Sequence, residues 1–412
     1  MTTLISCIGD TDPIRNRHDG ALLHLVRVFR PKKILLIYSE RALSKETNIL
    51  LALNSIDGYN PMIEKSDEVI SDSEVFIFDK MYEVLNGIIS KYSKEDEDLI
   101  LNLSSGTPQM KSALFTINRL KDINVKAYQV VTPSHSSNEG IKHDNNLDID
   151  YLISTNLDNR DDFEKRILED KAEKFQQTLI KRTMKDLLNS FDYESLYNLS
   201  TGQHRVMSKT KTRKLNSSLQ DLTEAVKYQK LLKVVSQTKY SEKEKKLINS
   251  YLIILLQANR ELVSEVLIRS KNIGEYACEL YLEKNYPDLI LWDKGRPYLN
   301  SINYPDIEDK LLNNEDIHYR KEQYLNIHFY IQILKELNEN KELIENLLKL
   351  SGYNQQRNKV AHGLSEIPSS QVKVQKIVNL CYQVIGKCID LKEDWSKFYD
   401  QFNNDISTIL DE

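Results

Sequence analysis

The chain has 412 residues, of which 40% are hydrophobic and 28% are charged, and its formal net charge is −5. This composition is typical of a soluble protein of two or three domains, and the acidic balance argues against a general nucleic-acid-coating protein but allows a local basic cleft. The four cysteines form no CxxC pair, so no zinc site is expected, and their scarcity fits a reducing cytoplasm. Because no apolar run approaches 18 residues, neither an export signal nor a membrane span is expected.

The N-terminal third alternates short apolar runs with longer amphipathic stretches. Strands are predicted at 4–8, 33–38, 61–64, 98–103 and 125–131, and helices at 21–29, 43–56, 79–93 and 108–120. This alternation predicts an α/β Rossmann-like domain with a mostly parallel, doubly wound sheet. The strand pattern ends near residue 145, so the first domain is predicted to cover residues 1–150.

A polar loop at residues 9–20 follows the first predicted strand. Ligands of such sheets bind beyond the carboxyl ends of the strands, where this loop would lie. It mixes the acidic Asp10 and Asp12 with the basic Arg15 and Arg17. The mixture suits the phosphates and hydroxyls of a nucleotide, but it equally suits a solvated loop of mutual ion pairs.

A second polar loop, residues 104–109, follows the predicted strand at 98–103. It places Thr107 at a helix N-cap and Pro108 at the first helical position, and the positive helix end would suit a phosphate. The alternative is that Thr107 only caps the helix and Gly106 only permits a turn. Neither loop matches a P-loop or a GxGxxG fingerprint. His135, after the last strand, is a further candidate for the same crevice, although a lone loop histidine is more often exposed and idle.

The remainder of the chain is predicted to be helical, as a linker domain at 151–240 and a bundle at 241–412. No pair of strands is predicted after residue 150. Loops are predicted at about 201–214 and 286–316. Helices are predicted at about 163–190, 216–236, 242–272, 273–285, 317–337, 340–350, 353–362, 369–390 and 393–410.

The segment from Arg357 to His362 carries the residue types needed to cleave RNA without a metal. Arginine grips phosphate with a planar fork of donors, and histidine exchanges protons near neutral pH. Asn358 could orient either group. Five residues of helix give about 7.5 Å of rise and about 140° of rotation, so the two groups do not share a face of the helix. Two copies across a two-fold axis would bring two arginines and two histidines into one cleft. The alternative is a solvated helix end with a structural histidine.

Three stretches, in order, resemble those of the CRISPR-associated type III-A accessory ribonucleases, which join a CARF sensor domain to a HEPN nuclease domain. They are the Gly-Asp-Thr-Asp-Pro loop at 9–13, Ser105–Met110, and Arg357–His362. The resemblance covers essentially the whole chain, with residues 1–150 as the CARF-like sensor and 241–412 as the HEPN-like nuclease.

The resemblance implies a cytoplasmic homodimer that needs no metal or other cofactor. A cyclic oligoadenylate, cyclic hexa-adenylate favoured over cyclic tetra-adenylate, would bind across the paired sensors and activate cleavage of single-stranded RNA to a 2′,3′-cyclic phosphate end. No stable association with the interference complex and none with a membrane is implied.

The resemblance also implies roles for individual residues. His362 would be the acid–base residue, Arg357 the phosphate clamp and Asn358 its support. Thr107 with Asp12 would carry out slow cleavage of the activator. Asp10 stands where an asparagine or similar amide is expected in relatives. The implied activator site contains Asp10, Asp12, Arg15, Arg17, Ser105, Gly106, Thr107, Gln109 and His135.

Two other functions remain open from the sequence. A ligand-sensing transcription regulator would need a winged helix-turn-helix with a hairpin wing, which the absence of a predicted strand pair and the acidic charge disfavour. A non-catalytic nucleotide-binding protein would use Arg357 and His362 only as structural residues.

Overall fold

The computed structural model describes residues 2–95, 98–120, 125–133, 148–202, 206–363 and 372–411, with the backbone alone at 94–95 and 359–363. The chain divides into two compact units, Met1–Gln176 and Gln177–Glu412. None of the described helices combines the length and the apolar character needed to cross a lipid bilayer.

The first unit is a Rossmann-like α/β domain. Six of its strands form one sheet in the order β5-β4-β1-β6-β7-β8, which is parallel except for β8, and β2 pairs with β3 as a short hairpin. The strands are β1 (Thr2–Cys7), β2 (Ile14–Arg15), β3 (His18–Asp19), β4 (Lys33–Ile37), β5 (Met62–Lys65), β6 (Asp98–Asn102), β7 (Val125–Val130) and β8 (Ile167–Glu169). The helices are α1 (Ala21–Phe29), α2 (Glu46–Asn54), α3 (Phe78–Glu95), α4 (Pro108–Leu120) and α5 (Ile149–Ser154). The predicted fold class is confirmed.

Alternation along the central strand β1 builds a core on each face of the sheet. Leu4 belongs to a buried cluster with residues of α1 and α2, whereas Ile5 and Cys7 belong to a second cluster with residues of α3 and α4. Successive side chains of a strand point to opposite faces, so one apolar run supplies both cores. The sheet is therefore covered by helices on both faces, as the continuous apolar runs in the sequence predict.

The first unit extends beyond residue 150 because β8 joins the sheet. Strand β8 pairs antiparallel with β7 through Tyr128 and Glu169. The predicted end of strand structure near residue 145 is therefore wrong, and the helix predicted at 163–190 begins only with α6 (Glu173–Asn189). A three-residue edge strand is too short to show an alternating pattern in sequence, and it is held instead by pairing with a distant segment.

The second unit is an α-helical bundle around one hydrophobic core. After α6, its helices are α7 (Tyr193–Thr201), α8 (Lys209–Tyr228), α9 (Lys233–Ser236), α10 (Glu242–Asn259), α11 (Val263–Asn285), α12 (Pro305–Leu312), α13 (Ile327–Glu336), α14 (Lys341–Ser351), α15 (Asn354–Gly363), α16 (Val374–Cys388) and α17 (Phe398–Asp411). Apolar positions recurring at helical spacing produce this core.

A β-hairpin interrupts the helices, so the loop predicted at 286–316 and the absence of a strand pair after residue 150 are both wrong. Strands β9 (Ile290–Asp293) and β10 (Arg296–Leu299) pair antiparallel. The two residues between them, Lys294 and Gly295, have φ of 48° and 75°. Positive φ at both central residues defines the turn type that suits a two-residue hairpin, and Gly295 adopts it without strain. The loop predicted at 201–214 is also shorter, because α8 begins at Lys209.

Candidate functional sites

The two polar loops predicted from the sequence meet at the edge of the sheet where the strand order reverses. Strand β1 lies between β4 and β6, so the loops that follow β1 and β6 flank the switch point of the fold. A Cβ on Gly9 would lie 2.8 Å from the backbone nitrogen of Gly106, and a Cβ on Gly106 would lie 2.8 Å from the Cβ of Cys7. Gly106 also has φ of +98°. The loops therefore touch backbone to backbone, and both contact points require glycine.

Asp12 braces the first loop from inside. It is 4% exposed. Its carboxylate accepts hydrogen bonds from the Gly9 N–H at 2.9 Å and the Leu22 N–H at 3.1 Å. Burial raises the pKa of Asp12. The hydrogen bonds from the Gly9 and Leu22 N–H groups, with the nearby Ser105 hydroxyl and the charge of Lys45, oppose that rise. The carboxylate is thus committed to shaping the loop rather than presented to a ligand.

Lys45, which the sequence did not single out, holds the same loop from the other side. Its Nζ donates to the carbonyl oxygens of Gly9 at 3.0 Å and Asp10 at 2.9 Å. Burial lowers the pKa of Lys45. The nearby carboxylates of Asp10 and Asp12 raise this pKa, and the cations Arg41 and Arg15 lower it further. Three basic side chains therefore gather beside the first loop, although Lys45 and Arg41 come from a 3₁₀ helix about 30 residues away in sequence.

Thr107 is the N-cap of α4, as the sequence predicts. Its Oγ1 accepts from the Met110 N–H at 3.3 Å and donates to the Val75 carbonyl at 3.0 Å. One unpaired N–H of the first helical turn is thereby satisfied, and Pro108 has none. The Gln109 N–H and the positive end of the 13-residue helix α4 remain for an anion.

The other predicted residues of the first unit lie at different depths. Ser105 is buried, Arg15 and Gln109 are half-buried, and Asp10 is exposed. Arg17 is exposed at the turn of the β2–β3 hairpin, and its Nε donates to the Thr155 carbonyl at 3.4 Å. Asp10, Asp12 and Arg15 are thus gathered around Lys45, whereas Arg17 is engaged with the end of α5. His135 lies outside the described residues.

A buried polar cluster near the start of α1 has the composition of a metal site. Potential ligand atoms of Asp19, His24 and Asp158 lie within 4.8 Å of one another. However, Arg27 Nε donates to Asp19 Oδ2 at 2.7 Å, and Arg166 Nη2 donates to Asp158 Oδ2 at 2.8 Å. Two guanidinium groups already balance the two carboxylates, so this network ties α1 to the segment before β8 and we assign it no ligand.

Helix α15 in the second unit carries the predicted nuclease residues. Arg357 Nη1 donates to Asn358 Oδ1 at 3.0 Å. The Arg357 Nε is buried and has no hydrogen-bond partner among the described residues. The backbone of α15 continues through position 362, which lies one helical turn beyond Asn358, whereas the side chain of His362 lies outside the description. Arg357 therefore lies beside the Asn358 amide with at least one N–H donor unused among the described residues.

Two further polar residues, not predicted from the sequence, meet at the start of α15. His328 Nε2 lies 3.3 Å from Asn354 Nδ2. Asn354 is the first residue of α15 and His328 is the second residue of α13. Local sequence gives no signal for this contact, because the two residues are 26 positions apart and meet only through helix packing.

Comparisons with known proteins agree with both units. A family model described as the Cas_Csm6 CARF domain matches residues 63–167, and one described as the Cas_Csm6 HEPN domain matches residues 234–407. The chain is 37% identical over 432 residues to the CRISPR system endoribonuclease Csm6 of Streptococcus thermophilus, with 100% of both chains covered. It is 41% identical over 411 residues to Csm6′ of the same organism, with 100% of this chain and 99% of the relative covered.

A solved structure extends the similarity to the whole fold. Csm6 of Enterococcus italicus, bound to cyclic hexa-2′-fluoro-hexa-dAMP, superposes with a TM-score of 0.78 at 25% identity, covering 99% of this chain and 100% of that one. The resemblance noted from three short motifs is thereby confirmed. The chain belongs to the Csm6 family of CRISPR system endoribonucleases, with its CARF match inside the first unit and its HEPN match inside the second.

Proposed function

We propose that this endoribonuclease cleaves single-stranded RNA without a metal and is switched on by a cyclic oligoadenylate bound to the first unit, with cyclic hexa-adenylate favoured over cyclic tetra-adenylate. The observation that carries the proposal is the Enterococcus italicus Csm6 structure, which shares the fold and is bound to a cyclic hexa-nucleotide of adenine. The cytoplasm is the proposed location.

The crevice between the two loops suits such an activator. Glycines at positions 9 and 106 let the two loops pack against each other, and the N-terminus of α4 offers N–H donors to a phosphate. Lys45 with Arg15 supplies positive charge beside the first loop. A cyclic ligand has repeated phosphates, so two copies of the chain related by a two-fold axis can each contact half of the ring.

The chemistry proposed for the second unit is in-line transfer at phosphorus. The 2′-oxygen attacks the phosphorus, the bond from phosphorus to the 5′-oxygen breaks, and the 2′-hydroxyl proton leaves while the 5′-oxygen gains one. His362 exchanges these protons, and Arg357, supported by Asn358, stabilises charge on the phosphate oxygens. The product is a 2′,3′-cyclic phosphate end.

A homodimer completes this site in the proposal. One chain contributes one Arg357 and one His362, which are about 140° apart on α15. Two copies supply two imidazoles, so that one accepts a proton while the other donates one.

Slow cleavage of the activator by Thr107 with Asp12 is a further part of the proposal. Both side chains hold the backbone of the crevice through hydrogen bonds, so they would act by positioning the activator. The β9–β10 hairpin supplies the strand pair that a transcription regulator would need. A regulator is still not favoured, because the HEPN match covers that hairpin. The helical linker is proposed as the part of the predicted 151–240 segment that follows Gln176, because the residues before it belong to the first unit.

The test is an RNA cleavage assay with a panel of linear and cyclic oligoadenylates, with and without excess EDTA. We expect cleavage of single-stranded RNA only with a cyclic oligoadenylate, most strongly with the six-membered ring, and at the same rate in EDTA. Cleavage that is equal with and without every oligoadenylate, or that is abolished by EDTA, would overturn the proposal.

A further inference from the structure

His328 is an exposed imidazole beside the helix that carries the nuclease residues. Its Nε2 lies 3.3 Å from Asn354 Nδ2. Asn354 precedes Arg357 by three residues and Asn358 by four, and residues at these spacings lie on one face of a helix. His328 therefore extends the polar face of α15 in the direction away from position 362.

Several contacts fix the helix start on which His328 lies. The Asn326 side chain accepts from the N–H of His328 at 2.9 Å, and Glu275 Oε1 accepts from the Ile327 N–H at 3.0 Å. Gly274 lets α11 pack closely here, because a Cβ on it would lie 3.0 Å from Ile327 Cδ1. The imidazole is thus presented by a fixed helix end rather than by a loop.

The remaining hydrogen-bonding capacity of His328 faces solvent. Asn354 is its one side-chain partner in the part of the chain that the structure describes. An imidazole held through one nitrogen offers the other to a ligand. The start of α15 places a positive helix end nearby, which favours an anion at this position. The first N–H groups of α13 are already bonded to Asn326 and Glu275.

We propose that His328 binds a phosphate of the RNA substrate next to the one that is cleaved, and that Asn354 positions its imidazole. From Asn354 to position 362 the helix rises about 12 Å, so within one chain His328 lies about two helical turns from the position of the proposed acid–base residue. His328 therefore acts in substrate binding and not in the chemical step. The inference rests on the proposed nuclease function of α15.

The test measures RNA affinity in a background that does not cleave. A fluorescent single-stranded RNA is titrated with activator-saturated His362→Ala protein, with and without His328→Ala, and binding is followed by anisotropy. We expect His328→Ala to weaken binding five- to tenfold. Lys335→Ala, which removes an exposed cation from the same helix, is the matched control and should change binding less than twofold.

A double-mutant cycle separates positioning from general loss of structure. Asn354→Ala should weaken binding by a similar factor, and the double variant should be no weaker than His328→Ala alone, because the two changes remove one interaction. Binding unchanged by His328→Ala, or loss of affinity that tracks a lower melting temperature, would overturn the inference.

The length of the substrate gives a second readout in the cleaving protein. With a long RNA, His328→Ala should raise KM five- to tenfold and leave kcat within twofold; with a dinucleotide, KM should not change. An equal effect on both substrates would contradict the inference. If the affinity effect is present but wild-type cleavage is not, the nuclease proposal fails and the RNA contact stands.

Discussion

The two functional regions differ in what their polar side chains are bonded to. In the first unit, Asp12 and Thr107 are paired with backbone groups, and Lys45 holds the loop through carbonyl oxygens, although the buried Arg15 Nε and Ser105 Oγ have no partner among the described residues. In the second unit, the Arg357 guanidinium donates to the side chain of its neighbour Asn358, and its buried Nε has no partner among the described residues. Side chains bonded to loop backbone thus form the frame of the crevice, whereas the Arg357 side chain is bonded to another functional side chain of the same helix.

This difference predicts different consequences of mutation. Changes in the crevice should act through its shape, and should alter activator affinity and the stability of the first unit together. Changes on α15 should remove a chemical group and leave both the fold and activator binding in place.

The largest effect is expected from His362→Ala. Removal of a general acid–base residue should lower RNA cleavage at saturating activator by about 10²- to 10⁴-fold. The measurement is kcat on a single-stranded RNA, with Lys349→Ala, an exposed position on α14, as the control. Full activity in the alanine variant would contradict the role of α15, and an equal loss of melting temperature would favour a structural histidine.

The next effect is expected from Gly106→Ala, which adds a Cβ at φ of +98° and 2.8 Å from the Cβ of Cys7. The distorted crevice should raise the activator concentration needed for half-maximal RNA cleavage at least tenfold, with kcat recovered at saturation. The control is Gly87→Ala in α3 of the same unit, because a Cβ there meets no atom within 4 Å. If both variants respond alike to activator, the crevice is not the activator site.

A pH-dependent effect on stability is expected in the second unit. Burial raises the pKa of Glu279 to about 7, although Tyr330 donates a hydrogen bond to it. Because the pKa of Glu279 is higher in the folded than in the unfolded state, protonation of Glu279 stabilises the folded state. This stabilisation is fully present below about pH 4.3 and is lost as pH rises to about 7. Glutamine does not ionise, so Glu279→Gln should lose less stability than the wild type between pH 5 and pH 8. The two changes in unfolding free energy should differ by up to about 3 kcal/mol.

Chemical unfolding at the two pH values measures this difference. Glu345→Gln at an exposed position controls for the loss of one negative charge. An identical stability difference between Glu279→Gln and wild type at both pH values would contradict the raised pKa of Glu279.

The smallest effect is expected from loss of the α4 cap. Thr107→Ala removes the acceptor of the Met110 N–H and should lower the free energy of unfolding by about 1 kcal/mol. Thr107→Ser keeps the hydroxyl and should recover most of this loss in the same unfolding experiment. If serine is as destabilising as alanine, the cap is not what Thr107 contributes.

The sequence predicts elements whose patterns are local. The strands at 33–38 and 98–103, the two loops at the sheet edge and the helix with Arg357 were all visible, because apolar runs, glycines and caps are properties of neighbouring residues. The short strand β8 and the β9–β10 hairpin were missed, since their patterns are too brief to be recognised.

The candidate sites show the same limit. Lys45 reaches a loop about 36 positions earlier, and His328 meets Asn354 where the starts of α13 and α15 come together. Such contacts depend on tertiary structure, so residue type and spacing along the chain do not predict them.

The most direct test of the account is a calorimetric titration of cyclic hexa-adenylate into the His362→Ala protein. The account predicts wild-type affinity with one ring bound for every two chains, because the activator lies in the first unit and is shared by two copies. Loss of binding in this variant, or one ring for every chain, would contradict it.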